Sequence, residues 1–558
     1  MYSNGTREEV GASAAGHWRA GISVPRGFVR RALTLVLICF GGILPKVEAE
    51  PPFPEINPPL TQTSHLQRAL ALANAVDTNG PPVRVLIYGQ SILEFCWMPL
   101  DAFLLSRYPG CSWQIENRTI SGHTAPYMLK TAEADVYPYQ PDLLVFHDYG
   151  DARAYAEFVQ RVRSRTCADI LLVGDHMASW DDPNEDTNNI PVETVAGTTW
   201  FDYVEQPLIA LTNGACRADI RTPWKQYLLA NGMSVTNLLA DTVHLNVPGC
   251  DLMTYLLSAY LLAPVLEPPA DPFDCDRVKR ITLGTNAFEG TSQTTVPFTG
   301  SRIMLRTKGT ARAQADFMID GLKPSAFITT YVHGRCSLWP FGGTPAILKI
   351  EAQTIPVAEN WTLTVDSMKG VNGPMTFHVR GSVTGEDGGG RSDTDFTSKS
   401  GRVVILSEDW YWQTYPGGLT SGMQLTWSTA FNGADSAVSG AASAGASGWV
   451  EVIQGLTDGP HLLTVVLRTG TPDQFPEILA YHPGGSELGG DNGGQNLLRY
   501  ARRGADILLC WPQQMGSLLR SSVDLIHWVD ATAVSPLFGR CQTQLSVEAA
   551  STFFRPSK

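Results

Sequence analysis

Between residues 83 and 263 short apolar runs alternate with longer stretches in which apolar positions recur every three or four residues. The runs at 83–88, 113–117, 142–147, 170–174 and 218–221 have the length and unbroken hydrophobicity of buried strands. Between them, 92–107, 125–134, 152–165 and 204–212 carry helical spacing, and 251–262 closes the series with one more helix. Strands that alternate with helices imply a parallel sheet covered on both faces, so the pattern predicts a three-layer α/β domain over residues 83–263.

The segment 264–272, rich in proline and acidic residues, is a boundary signal. After it the pattern changes. Runs at 302–306, 315–319, 361–365, 376–379, 402–406, 423–427 and 462–467 alternate or cluster β-formers between Gly, Ser and Asp turns, which predicts an all-β sandwich or jelly roll over 275–482. Within it, 432–448 is almost entirely Gly, Ala, Ser and Asp, too poor in bulky groups to pack, and reads as a loop. A glycine-rich linker at 483–494 ends the sandwich, and 496–558 holds further short β-runs that read as a small C-terminal β-module for attachment or export.

Composition narrows the function. A chain of 558 residues with 43% hydrophobic positions can fill several cores, and Gly 52 with Pro 37 matches a turn-rich β part. Charged residues are only 17% and the formal net charge is -13, which argues against a nucleic-acid partner held by its phosphates. At the N-terminus a basic stretch ending in Arg30-Arg31 precedes the apolar run 32–44 and then Val47-Glu48-Ala49, a small-x-small cleavage pattern. Residues 1–49 therefore read as a secretory signal, with 50–82 as a lead-in. The apolar run is shorter than the ~20 residues that span a bilayer, so a retained anchor is the alternative and no stable membrane insertion is expected after cleavage. Cys39 lacks the small residues that precede a lipidated cysteine. The expected location is extracellular, periplasmic or on the cell surface.

Cleavage after Ala49 would leave an odd number of the 10 cysteines. They are scattered and show no Cys-x-x-Cys pair, so the expectation is buried thiols with a few bridges, Cys96/Cys111 and Cys510/Cys541 being the candidates nearest in sequence. No histidine lies at metal-ligand spacing; neither a metal nor another cofactor is expected.

Three motifs carry chemistry. Val83-Arg-Val-Leu-Ile-Tyr-Gly89-Gln90-Ser91 is a buried strand ending in a glycine turn, and it places Ser91 at the C-terminal edge of the sheet, on a helix N-terminus. That is where an α/β enzyme keeps a nucleophile, and also where a plain N-cap serine sits. Asp241-Thr-Val-His244 puts a carboxylate three residues before an imidazole, close enough to hold the Nδ1 proton and leave Nε2 to deprotonate a serine. Short Asp/His spacings are common in loops; the combination with a strand-end serine is the specific signal. Asn117-Arg-Thr-Ile-Ser-Gly122 follows the second strand, and the Gly122 N–H is a candidate to form an oxyanion hole with that of Ser91.

Together these motifs resemble the SGNH (GDSL-type) hydrolase family over residues 83–263, with no Gly-x-Ser-x-Gly elbow to suggest the ordinary α/β-hydrolase fold. The resemblance implies a flavodoxin-like sheet, Ser91 as nucleophile, His244 as base, Asp241 as its partner and Gly122 as an oxyanion donor. Two positions depart from the family pattern. Gln90 replaces the usual aspartate, as in some carbohydrate-acting members. The third block, normally glycine and asparagine, reads His147-Asp-Tyr149-Gly150-Asp151, where an ionised Asp151 would repel an oxyanion, leaving a backbone N–H near Gly150 or the Tyr149 hydroxyl as alternatives.

Other residues have plainer readings beside functional ones. His176, after strand four, is a pocket-lining candidate or a structural hydrogen-bonding group. His123 is a candidate substrate contact or a solvated loop residue. Trp410 and Trp412 are candidate sugar platforms or core packing. The expected activity is that of a secreted serine esterase removing acyl groups, acetyl above all, from carbohydrate. The export signal, the Gly-Gln-Ser variant, the attached β-part and the polar loops near Ser91 favour that substrate over a long-chain lipid. A lipid or short-chain carboxylesterase, and a non-catalytic carbohydrate-binding or adhesive protein on a retained fold, are the alternatives.

Overall fold

The computed structural model describes residues 51–484, apart from 76–79, 186–197, 266–270, 284–287, 289, 310–311, 337–344, 371–372, 412–418 and 440–447, together with the backbone of the strands between 499 and 557. Residues 1–49, most of both linkers, the centre of the 432–448 run, Trp412 and the side chains of Cys510 and Cys541 lie outside the described residues. No helix among those described is long and apolar enough to cross a membrane.

The α/β part opens with α1 (Leu60–Thr63) and α2 (Gln67–Asn74), which lead into β1 (Val83–Gly89). It continues through α3 (Ser91–Arg107), β2 (Trp113–Asn117), α4 (Ala125–Asp135), β3 (Leu143–His147), α5 (Ala152–Arg165) and β4 (Asp169–Val173). The short α6 (Thr198–Trp200) runs through a π-turn into α7 (Gln206–Asn213), followed by β5 (Cys216–Ala218), α8 (Arg221–Ala230) and α9 (Val247–Leu261). The five strands are parallel in the order β2-β1-β3-β4-β5, a doubly wound sheet whose topological switch lies between β1 and β3.

Strand alternation divides the core cleanly. Val85, Ile87, Val145, Leu171 and Val173 face one layer, filled by Ile92, Cys96 and Leu100 of α3, Trp224 of α8 and Leu256 of α9. Leu86, Tyr88, Phe146, Ile170 and Leu172 face the other, filled by Met128 of α4, Phe158 and Val159 of α5 and Ile209 of α7. The predicted three layers are therefore present, with two differences. The run expected as a strand at 218–221 only begins at the end of β5, because Arg221 opens α8, whose buried Trp224, Tyr227 and Leu228 follow helical spacing. The lead-in is itself part of the core: Leu66, Ala69, Leu70 and Ala73 line one helical stripe against the sheet, and Arg68 pairs with Asp142 at 2.6 Å.

The region expected as one sandwich contains two β-cores. Two four-stranded antiparallel sheets, ordered β17-β9-β19-β7 and β18-β8-β20-β6, enclose Ile303, Phe317, Leu463, Val465 and Ile478. Here β6 is Val278–Thr282, β7 Gln293–Gly300, β8 Arg302–Arg306 and β9 Gln314–Ile319; β17 is Ser436–Val438, β18 Trp449–Ile453, β19 Gly459–Thr469 and β20 Glu477–Tyr481. Between β9 and β17 the chain builds a second body on a five-stranded sheet, β10-β16-β11-β12-β13, with its own core of Trp361, Leu363, Phe377, Val379, Leu425 and Trp427. These strands are β10 (Tyr331–His333), β11 (Glu359–Met368), β12 (Met375–Gly381), β13 (Gly385–Arg391) and β16 (Gln424–Phe431), with the two-residue strands β14 (Phe396–Thr397) and β15 (Val404–Ile405) between. Beyond residue 499 the backbone forms further antiparallel strands.

Cys96 does not bridge to Cys111. Both are free thiols, and Cys96, inside the layer between α3 and α9, instead lies against Cys250 of α9.

Candidate active site

The C-terminal ends of β1, β2 and β3 meet at one edge of the sheet. Gly89 ends β1 with φ +134°, and a Cβ there would fall 1.9 Å from the His147 carbonyl oxygen, so only glycine lets the chain turn this close to β3. The turn is stitched to its neighbours by Gln90 N–H to His147 O (3.2 Å) and Ile120 N–H to Gly89 O (2.8 Å). Ser91 then starts α3, its N–H among the first-turn donors that the helix itself leaves without a partner.

His244 reaches this edge from the loop before α9. Its Nε2 is 3.0 Å from Ser91 Oγ and its Nδ1 is 2.7 Å from Asp241 Oδ2. The other carboxylate oxygen of Asp241 accepts from the backbone N–H groups of Val243 (2.8 Å) and His244 (2.7 Å), which closes a tight turn and aims the ring. Burial would raise the Asp241 carboxyl, but the Val243 N–H and the His244 ring and N–H together outweigh it and bring it down to about 2. An anion on that side requires the Nδ1 proton and leaves Nε2 as an acceptor toward the serine.

Ser91 Oγ also lies 2.8 Å from Gln90 Oε1. One hydroxyl proton thus has two acceptors within reach, Gln90 Oε1 and His244 Nε2. Phe95, one helical turn beyond Ser91, sets its ring edge against His244 with centroids 5.3 Å apart, and it is 53% exposed, with Met98 beside it on α3 at 62%.

Gly122 holds φ +73° in the loop after β2, with open space where a Cβ would be. In the same loop, Ser121 Oγ contacts the Glu94 carboxylate of α3. In the third block, Gly150 has φ +103° beside Thr124, and Asp151 is the N-cap of α5, its Oδ1 accepting from Arg153 N (2.7 Å) and Ala154 N (3.2 Å). The Asp151 carboxylate is thus spent on the helix. Tyr149 remains partly exposed at the rim.

His123 is not a solvated loop residue. It is buried between the rings of Tyr127 (5.7 Å) and Tyr411 (4.3 Å), and burial pushes its imidazole down to about 4. His176 is also buried, with Nε2 2.6 Å from the Val243 carbonyl. Trp410 packs on Phe377 in the core of the second β-body, centroids 5.4 Å apart, while the next residue, Tyr411, reaches the α/β part. Asn117 turns back on Thr119, and Arg118 binds the Asp135 carbonyl, so the polarity of those positions serves the loop. Sequence reasoning missed Phe95, whose signal was an apolar residue on the exposed side of α3, and Tyr411, for which no local signal exists.

No protein-family model matches this chain, and no curated protein matches it. Among solved structures, a two-domain esterase active on acetylated mannans, co-crystallised with mannopentaose, aligns with 75% of this chain and 94% of its own at 12% identity and a TM-score of 0.30. An acetylxylan esterase from Geobacillus stearothermophilus aligns with 34% of this chain and 100% of its own at 14% identity and a TM-score of 0.28. A putative GDSL-like lipase from Parabacteroides merdae covers 34% and 99% at 16% identity, also with a TM-score of 0.28.

Proposed function

We propose that this chain is a secreted serine esterase that hydrolyses acyl esters, acetyl above all, on carbohydrate. The observation that carries the hydrolase reading is the continuous Ser91–His244–Asp241 contact, 3.0 Å and 2.7 Å long, at the switch point of a parallel sheet. His244 takes the Ser91 proton as Oγ attacks the ester carbonyl, and Asp241 stabilises the imidazolium. The N–H groups of Ser91 and Gly122 receive the oxyanion, with Gly150 as the third-block backbone candidate. The alcohol leaves with the proton from His244, and a water activated by the same imidazole releases the acid.

The acetyl preference follows from the rim. Tyr149 offers a hydrogen-bonding group there to a hydroxylated leaving group, and no long apolar trough is needed for a two-carbon acid. Exposed Phe95 and Met98 favour a second reading, a carboxylesterase for longer acyl chains. Initial rates on a p-nitrophenyl ester series, with acetate release from acetylated polysaccharides, separate the two. Highest kcat/KM on the acetyl ester with acetate released supports the first. A rise with chain length and no acetate from any glycan replaces it with the second.

A further inference from the structure

The triad joins Ser91 to His244 at the surface, and a buried line of polar groups joins the same two places from below. Gln90 Oε1 is 2.8 Å from Ser91 Oγ, and Gln90 Nε2 is 3.2 Å from His147 Nδ1 at the end of β3. His147 Nε2 is 3.4 Å from Asp175 Oδ1, just past β4, and the same oxygen is 3.0 Å from His176 Nδ1. His176 Nε2 ends the line, 2.6 Å from the carbonyl oxygen of Val243, the residue before His244. Both imidazoles are 1% exposed.

Donor and acceptor roles are fixed at the two ends of this line, and Asp175 lies between them at ion-pair distance from both rings. The Gln90 amide nitrogen only donates, so His147 Nδ1 accepts and its proton sits on Nε2, facing Asp175. A carbonyl only accepts, so His176 Nε2 is protonated. Burial alone would raise the Asp175 carboxyl, but the His147 and His176 rings outweigh it and hold it well below the usual carboxylate range. The anion thus lies between the two rings, and the bond that reaches the base loop is the one from His176 Nε2 to the Val243 carbonyl.

The loop that carries the base needs such a hold. Asp241 and His244 are 53% and 33% exposed, and the Asp241 bonds to Val243 and His244 are internal to the loop. Its described ties to the end of β4 are Ser179 N–H to Thr242 O (2.9 Å) and His176 to Val243.

We propose that Gln90, His147, Asp175 and His176 are positioning residues, a buried strap across the ends of β1, β3 and β4 that fixes the base loop at transfer distance from the nucleophile. The catalytic consequence rests on the serine-hydrolase reading; the mechanical one does not.

Two substitutions divide the grip of His176. In His176→Gln the amide nitrogen takes the place of Nε2 and keeps the Val243 bond; in His176→Asn it takes the place of Nδ1 and loses it. We expect His176→Asn to lower kcat on p-nitrophenyl acetate by about 10- to 100-fold with KM within about twofold, and His176→Gln to stay within about threefold. Deuterium uptake of the peptide spanning 239–246 should rise in His176→Asn and not in His176→Gln, at unchanged uptake elsewhere. Unchanged uptake there, or raised uptake with unchanged kcat, overturns the strap. Where His176→Asn does not fold, Asp175→Asn, which keeps both rings and removes the anion between them, is read the same way. A wild type without turnover would end the esterase reading alone, because uptake still decides whether the strap holds the loop.

Discussion

At the scale of single residues, the exposure of Asp241 sets what it can contribute. A carboxylate that is half in water orients and charges an imidazole less strongly than a buried one, because solvent screens the pair. Asp241→Asn is therefore expected to lower kcat by about 10- to 100-fold, while His244→Ala loses about 10³-fold or more. Steady-state rates on one activated ester check the order, and equal losses would contradict it. Asp151 gives a contrasting case. With its carboxylate capping α5, Asp151→Ala should cost about 1 kcal/mol in thermal unfolding and leave kcat intact, and Asp151→Asn should restore the stability. A large fall in kcat would return Asp151 to the site. Histidine burial fixes a pH dependence of stability. Desolvation holds His123 and His333 at about 4, against ~6.5 in an unfolded chain, so between these values the unfolded state binds more protons. Their contribution is complete above pH 6.5 and is lost as the pH falls toward 4, on the order of 3 kcal/mol for each. Melting temperatures measured from pH 8 to 4 should drop over that window, and His123→Gln should flatten the drop.

At the scale of elements, the close approach of β1 to β3 is the feature with least tolerance. Gly89→Ala meets both a positive φ and a backbone oxygen that has nowhere to move, so a loss of about 3 kcal/mol or more is expected in chemical unfolding. The same elements show what the sequence could disclose. Buried parallel strands are apolar throughout and the helices between them amphipathic, so β1 to β4 and α3 to α5 were legible from periodicity alone. Ser91 and the Asp241/His244 pair were legible because each is set by local geometry, a strand-end turn and a three-residue spacing. The edge strand β5 was misplaced because three residues carry no period, and the start of α8 was hidden because its first residue, Arg221, falls inside that run. His123 was misread as solvated because what buries it, Tyr411, comes from a region nearly 300 residues away, and Asp175 was overlooked because its two imidazole partners meet it only in the folded sheet.

At the scale of the molecule, the β-part is packed on the α/β part through both of its bodies. Leu72, Val83 and Cys167 share a buried cluster with Phe273, Val278, Met304, Trp449 and Tyr481. The second body reaches α4, where Lys130 Nζ is 2.8 Å from Asp409 and Arg335 pairs with buried Asp135 at 2.7 Å while also binding the Arg118 carbonyl. Burial raises the Asp135 carboxyl and Arg335 opposes that rise. Removing the arginine leaves an uncompensated buried acid, so Arg335→Ala should cost about 3 kcal/mol, with most of it recovered when Asp135→Leu is added. Calorimetry on the single and double variants checks this; additive losses would contradict it. The shared cluster also bears on the boundary at 264–272. An α/β piece cut there would expose Leu72 and Val83, and it should be less stable than the full chain even where it still turns over a small ester.

A Ser91 hydroxyl activated by His244 as a nucleophile is open to covalent capture. Intact-mass measurement after exposure to a fluorophosphonate should show one adduct, mapped to Ser91, absent in Ser91→Ala and formed at least about 100-fold more slowly in His244→Ala. Folded wild-type protein that forms no adduct, or forms one that survives Ser91→Ala, would contradict the account.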